Sequence, residues 1–428
     1  MIIKNSKWKE EYYYEKLPNG LEVYLMEKKE YVKTYAAVAV NFGSLDTSFI
    51  PPKKHEFVDV PLGVSHFLEH LMFESNENQS IAFGKLGAEC NAFTSFDRTV
   101  YTFSTISNVT ECTNLLLDLV QNPKYDIKSI EHEKNSIIQE LLMYDNIPNN
   151  VLYNECLKSM YKSCNVRYDI CGTKESIEAI TKKDLDLCYD AFYHPSNTCI
   201  VIVGNFDKNE LLNSIKKNQD SKSFREFEVI KRRYPEEDNL VNEKKSIINY
   251  ELSIPKVSLN LKIPNKVTRS IENLKNDLAL SMLVDYNFDE TSSIYEDLMN
   301  KEIINHSYSY ESLVDDGFSY FMISCDTEKY EEFEQIIKKK MLNLEEIDDV
   351  NLIRYQNTIF ASNIRKMNNL EYYVTMLIDA CFCNLELFEI FDAVNEITKE
   401  DVNKMKNAFK EEQLTTVILK DEKHQSQN

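Results

Sequence analysis

The sequence predicts a protein of mixed helices and strands folded as two similar lobes, and three observations carry that prediction. The chain has 428 residues, too many for one ordinary domain and suited to two of about 200. Apolar runs of strand length alternate with stretches of helical length. A block of the first half also returns in the second: Ile180-Thr181-Lys182-Lys183-Asp184-Leu185 recurs as Ile397-Thr398-Lys399-Glu400-Asp401-Val402. At the same offset Ala191-Phe192 recurs as Ala408-Phe409, and Cys199 to Val203 is matched by Thr416-Val417-Ile418-Leu419. Identity held at one offset marks duplication. The expected division is a first lobe over 1–215, a polar linker over 216–245 and a second lobe over 246–428.

The elements follow in order. Leu21 to Leu25 alternates, and Thr34 to Phe42 is nearly all apolar; both have the length and residue types of strands. Residues 49–62, with Pro51, Pro52 and Pro61, predict a loop. Gly63 to Phe73 predicts a helix. Asn91 to Ser107, rich in Thr, Phe and Tyr, predicts a strand or hairpin. Residues 108–121 and 126–145 predict helices separated by Pro123. Thr198 to Gly204 predicts a buried strand, and the charged stretch Lys208 to Lys245 predicts a bridge between lobes. The hairpin-then-helix of 91–121 has a weaker echo in Ser307 to Leu342.

Composition narrows the function classes. The apolar fraction of 43% supports proper cores. A formal charge of −21 argues against nucleic acid or an anionic membrane as the main partner. Basic segments of a substrate would be attracted, although an acidic surface also serves solubility. No run of eighteen apolar residues predicts a membrane span, and Met1 to Glu10 lacks the apolar core of a signal peptide. The ten cysteines are scattered without a Cys-x-x-Cys pair and predict reduced thiols in a cytoplasmic protein. Cys381 and Cys383 could bind a metal but have no companions in sequence. The eight glycines are few enough that each predicts a needed turn.

The chemistry concentrates in His66-Phe67-Leu68-Glu69-His70. Residues four apart stack on one helix face, so His66 and His70 point the same way, as two ligands of a tetrahedral Zn²⁺ must. Glu69, rotated by one residue, can act on a metal-activated water without filling the coordination sphere. The alternative is a solvated polar face. Gly63, Val64, Phe67, Leu68, Leu71, Met72 and Phe73 surround the motif with apolar groups, where polar residues need a purpose. Hydrolysis favours a carboxylate as third ligand. Glu133 and Glu140 lie seven residues apart, close to two turns, and share a face. Glu140 is assigned to zinc and Glu133 to an orienting catalytic role, with Glu131 as the other candidate ligand and His132 on the surface. His55, His194, His306 and His424 carry no ligand spacing. Asn91-Ala92-Phe93-Thr94 opens a strand whose edge could hold an extended peptide by main-chain hydrogen bonds; a plain core strand is the alternative.

These residues resemble the M16 (inverzincin) metallopeptidases, relatives of pitrilysin, insulin-degrading enzyme and the mitochondrial processing peptidase. The inverted zinc motif matches His66 to His70, and Glu133 and Glu140 match the family's Glu-x6-Glu helix, whose second member ligates zinc. Asn91-Ala92-Phe93-Thr94 matches its substrate-binding edge strand, and Phe192 to Asn197 with Gly204-Asn205 matches the end of its first domain. The likeness covers nearly the whole chain. Within the family it is most similar to the bacterial insulinase-like proteins associated with elongation-factor-P 5-aminopentanol modification. The resemblance implies an α+β fold of two M16-type (LuxS/MPP-like) lobes, each a mixed, mostly antiparallel sheet packed with helices. It implies one Zn²⁺ per chain in the first lobe and an endopeptidase cleaving peptides or leader segments in a chamber between lobes.

One departure bears on partners. Active family members use an Arg and a Tyr from the second lobe, in a Leu-Arg-x-x-Glu-x-x-x-Tyr-like segment, to grip substrate. Here the nearest match is Leu298 to His306, with Met299 and His306 in those places, and no arginine occurs between Arg269 and Arg354. Tyr308 or Tyr310 could replace the tyrosine. The aligned helix of the second lobe, Ser281 to Phe288, has no histidine, so no metal is expected there. The expectation is a zinc-bearing half of a heterodimer whose M16 partner supplies the Arg/Tyr pair. A non-catalytic assembly or peptide-binding subunit is the alternative.

Overall fold

A computed structural model describes residues 1–73, 79–264 and 269–421. They form two compact units, one made of Met1–Leu141, Asp169–Tyr234 and Ile364–Phe388, the other of Leu142–Tyr168, Pro235–Asn363 and Glu389–Asn428. Both are α+β, as the sequence predicts. Among the described residues no helix is long and apolar enough to cross a membrane, and none of the ten cysteines forms a disulfide.

The first unit contains strands β1 (Ile2–Asn5), β2 (Glu10–Lys16), β3 (Glu22–Glu27), β4 (Thr34–Val40), β5 (Ser48–Ile50), β6 (Val58–Asp59), β7 (Ala88–Thr94), β8 (Thr99–Thr105), β9 (Thr198–Gly204) and β10 (Lys231–Arg232). Seven of them form a sheet in the order β1-β2-β3-β9-β4-β8-β7, in which only β3 and β9 run parallel. β9 is buried at every residue, which explains its unbroken apolar sequence: a strand covered on both faces gains by apolar side chains at successive positions. Helices α1 (Val64–Phe73), α3 (Val109–Gln121) and α4 (Ile127–Asp145) follow the predicted segments, and a further helix, α2 (Gln79–Lys85), stands where none was expected. The helix Leu370–Cys383, from late in the chain, packs on β4 and β9, and its Asp379 pairs with Arg98.

Two stretches differ from expectation. The proline-bearing loop 49–62 contains β5 and β6, because β5 pairs with β6 and with β10 from a distant part of the chain. Arg232 of β10 donates to the buried Asp46 at 2.8 Å. Such a pairing leaves no local periodicity. The expected bridge of 208–245 begins as the helix Lys208–Asp220, capped by Asp207, which accepts from the Glu210 N–H at 2.9 Å.

The second unit holds α5 (Pro148–Met160) and strands β11 (Lys245–Asn249), β12 (Lys256–Lys262), β13 (Ser309–Val314), β14 (Ser319–Asp326) and β15 (Leu414–Lys420). Their order, β11-β15-β12-β14-β13, with one parallel pair at β11–β15, matches β3-β9-β4-β8-β7 strand for strand. The sequence repeat sits at equivalent places. Thr181 and Thr398 each cap a helix and accept from the N–H of Asp184 or Asp401, whose carboxylate returns the hydrogen bond.

A buried charge holds this unit's inserted segments. Lys262, 1% exposed, donates to Glu237 at 2.6 Å and to the Leu240 carbonyl at 2.8 Å. Glu237 also accepts from the backbone N–H groups of Lys162, Ser163 and Cys164. Removing one partner leaves an uncompensated ammonium and three donors without an acceptor. Glu237→Ala should therefore destabilise this unit by about 3–5 kcal/mol in urea unfolding; a loss near zero would refute that account.

Candidate metal centre

The centre is built on α1. Val64, Phe67, Leu68, Leu71 and Met72 anchor the helix in the core. His66 and Glu69, each 8% exposed, are buried with them. The spacing of four brings the His66 and His70 rings to 4.6 Å between centroids. α4 supplies the carboxylates. Its buried Ile130 and Ile137 seat the helix, and Glu133 and Glu140, two turns apart, face α1 together. Glu140 Oε2 lies 3.3 Å from His70 Nε2 and 3.8 Å from His66 Nε2. Glu133 Oε2 lies 3.1 Å from His70 Nδ1.

Those separations suit zinc. Donors about 2.0–2.1 Å from one ion at tetrahedral angles stand about 3.3 Å apart. Glu133 on the far nitrogen fixes the ring so that Nε2 faces Glu140, the usual arrangement behind a ligating histidine. Glu131 instead pairs with Lys134 at 3.0 Å and is exposed. His132 is exposed too, with Nδ1 3.0 Å from Glu133 Oε1. His424 lies outside the described residues. Cys381 and Cys383 stand apart from this cluster, on the helix Leu370–Cys383, where the Cys381 thiol donates to Glu22 Oε2 at 3.5 Å.

Glu69 points to the same region. It accepts from the Thr94 hydroxyl at 2.8 Å. Burial raises its carboxyl above the ordinary range, against the lowering effects of Thr94 and His70. Thr94 ends β7, the outermost strand of the sheet. Along that strand Phe93 is exposed, and Asn91 Oδ1 accepts from the Ala92 N–H at 2.9 Å. A recess of about 230 Å³ is lined by Glu69, His70, Phe73, Ser80, Cys90, Asn91 and Ala92. Larger cavities of about 720 and 830 Å³ flank the segment 222–227 and contain neither histidine of the pair nor a glutamate of α4.

One further residue reaches the centre without any ligand spacing in the sequence. Cys171 Sγ lies 3.9 Å from His66 Nε2, and the ligand atoms of His66, Glu140 and Cys171 fall within 4.8 Å of one another. Its signal was glycine. Gly63, at φ +83°, precedes α1, and a Cβ there would meet the Cys171 carbonyl oxygen at 2.2 Å.

Comparison with known proteins identifies the family. The family description "Insulinase (Peptidase family M16)" matches residues 25–174, and "Peptidase M16 inactive domain" matches residues 179–358. The chain is 36% identical over 414 residues to the uncharacterized zinc protease YmfH of Bacillus subtilis, covering 96% of each. It is 30% identical over 156 residues to a probable mitochondrial-processing peptidase subunit beta of Schizosaccharomyces pombe, covering 35% of this chain and 34% of that one. An M16-like peptidase of Alicyclobacillus acidocaldarius superposes with a TM-score of 0.91 at 29% identity, over 97% of this chain and 99% of that one. A Helicobacter pylori protease shares the fold at a TM-score of 0.80 and 20% identity, over 96% and 99%.

Without metal the two histidines titrate apart. Burial and the neighbouring His70 lower His66 to about 4. Burial also acts to lower His70, but hydrogen bonds to Glu133 and Glu140 prevail and raise it to about 10. A group raised in this way contributes stability that is complete below its unfolded value of about 6.5 and is lost as pH rises toward 10. A cation taking His70 Nε2 must expel that proton. Zinc affinity of the metal-free protein should therefore rise at least about tenfold per unit over roughly pH 6 to 8, measured by chelator competition. A flat profile would contradict a protonated His70.

Proposed function

The chain belongs to the M16 family of peptidases, and from that premise we propose that it is a zinc-dependent endopeptidase cleaving peptides or leader segments. The observation that carries the reading is the approach of His66 Nε2 and His70 Nε2, from one helix, to Glu140 Oε2 from another, at 3.8 and 3.3 Å. The relatives named as zinc proteases support the same metal. Held there, zinc would supply Lewis-acid polarisation of the scissile carbonyl and a lowered pKa for water.

The remaining work belongs to side chains of this chain. Glu69, with its basicity raised by burial, takes a proton from the attacking water and passes it to the leaving amine. Thr94 holds the Glu69 carboxylate at 2.8 Å and so fixes the direction of that transfer. Glu133 orients His70 through Nδ1. Asn91 to Thr94, at the open edge of the sheet, align an extended peptide; its carbonyl would replace Asn91 Oδ1 on the Ala92 N–H.

Substrate grip is proposed to come from a second M16 chain. The two tyrosines that could stand in for the family's Tyr are engaged elsewhere. The Tyr308 hydroxyl donates to the Phe288 carbonyl at 2.8 Å, and that of Tyr310 to Asp285 Oδ1 at 2.9 Å. Met299 and His306 offer no guanidinium or phenol in their place. The purified chain should hydrolyse unstructured peptides slowly and speed up when an M16 partner bearing the Arg/Tyr segment is added. Glu69→Gln in the complex should lower kcat by about 10²–10⁴ with zinc retained. Full activity of the isolated chain would overturn the heterodimer and keep the enzyme. A complex equally active with Glu69→Gln would overturn the assignment of the base.

A further inference from the structure

We propose that Cys171 is a fourth protein donor to the metal, closing the coordination sphere over His66, His70 and Glu140 when no peptide is bound. The inference rests on the zinc reading given above and concerns what occupies the position that a hydrolytic site must leave open.

The geometry is that of a built contact. The Cys171 Sγ stands 3.9 Å from His66 Nε2. In a tetrahedral zinc site a sulfur at about 2.3 Å and a nitrogen at about 2.0–2.1 Å lie about 3.6 Å apart. The thiol therefore stands within a few tenths of an ångström of the sulfur–nitrogen separation such a site needs toward His66. Its ligand atom also falls within 4.8 Å of Glu140, so it belongs to a three-donor cluster.

The backbone carrying it is held firmly. The Cys171 N–H donates to Asp169 Oδ1 at 2.8 Å. Gly63 and Gly172 both have positive φ, at +83° and +90°. A Cβ on Gly63 would meet the Cys171 carbonyl oxygen at 2.2 Å, and one on Gly172 the Leu62 carbonyl oxygen at 2.8 Å. Only glycine permits this approach, and it seats residues 171–172 directly against the start of α1. Cys171 itself is 4% exposed.

The neighbouring ligand supplies a reason for such a donor. Glu133 secures His70 from behind, whereas His66 Nδ1 is buried with no hydrogen-bond partner among the described residues. A ligand lacking that outer support holds metal less well. A thiolate beside it would compensate and would favour soft, thiophilic ions. Coordination would break the S–H bond, form an S–metal bond and release one proton to solvent. A peptide carbonyl entering from the β7 edge would displace the sulfur, which takes a proton back. The centre would then be latent without substrate and retain its ion.

Cobalt(II) reports the sulfur directly. The full chain, stripped of metal and titrated with Co²⁺, should develop tetrahedral visible bands together with a thiolate-to-cobalt charge-transfer band in the near ultraviolet. Cys171→Ser and Cys171→Ala should keep the visible bands and lose the ultraviolet one. Chelator competition should show zinc bound at least about tenfold more weakly in both variants. Visible bands without charge transfer in the unaltered chain, or a charge-transfer band surviving in the variants, would overturn the role of Cys171 and leave the zinc reading intact. Failure to bind Co²⁺ or Zn²⁺ at all would overturn both.

Discussion

The arrangement of the first unit depends on one electrostatic constraint: two imidazoles and three carboxyl groups are gathered in a largely apolar setting around α1. Glu69, Glu133 and Glu140 bring negative charge to a place from which water is mostly excluded, and desolvated charge of one sign is costly. In the metal-free chain His70 answers by holding its proton between Glu133 and Glu140. A divalent ion would answer more completely, because it adds two positive charges and binds the nitrogens that the proton leaves. The raised His70 and the raised Glu69 are two responses to the same excess of negative charge and burial.

The supporting structure serves this constraint in layers. α1 and α4 are each seated by aliphatic residues on the face that carries the polar groups, so the ligand directions follow from packing. β7 places Thr94 against Glu69, linking the outermost strand of the sheet to that carboxylate. Gly63 and Gly172 admit the segment around Cys171 to the start of α1. Each contact joins residues far apart in sequence, and each narrows where a peptide bond and a metal could meet.

The two units show what duplication preserves. Their sheets keep the same strand order and the same position for the single parallel pair, and the Thr181 and Thr398 caps survive with their aspartates. The helix Ile271–Phe288 of the second unit carries no histidine, and its Asp285 is engaged by Tyr310. The repeat thus conserves backbone pairing, while the histidine pair of α1 has no counterpart in the helix Ile271–Phe288. Function therefore follows from the site and not from the architecture.

Much of this was legible in the sequence by itself. Helical periodicity sets the direction of a side chain about its own axis, so the common face of His66 and His70, and that of Glu133 and Glu140, follow from spacing. Strands β3, β4, β8 and β9 announced themselves by apolar pattern, and the repeat announced the second sheet. Contacts between distant segments were another matter. That β5 pairs with β10, that the helix Leu370–Cys383 packs on β4 and β9, and that Cys171 abuts His66 were decided by tertiary packing. The reason is physical: periodicity encodes orientation within an element, whereas the neighbour across a packed interface depends on how whole elements settle together.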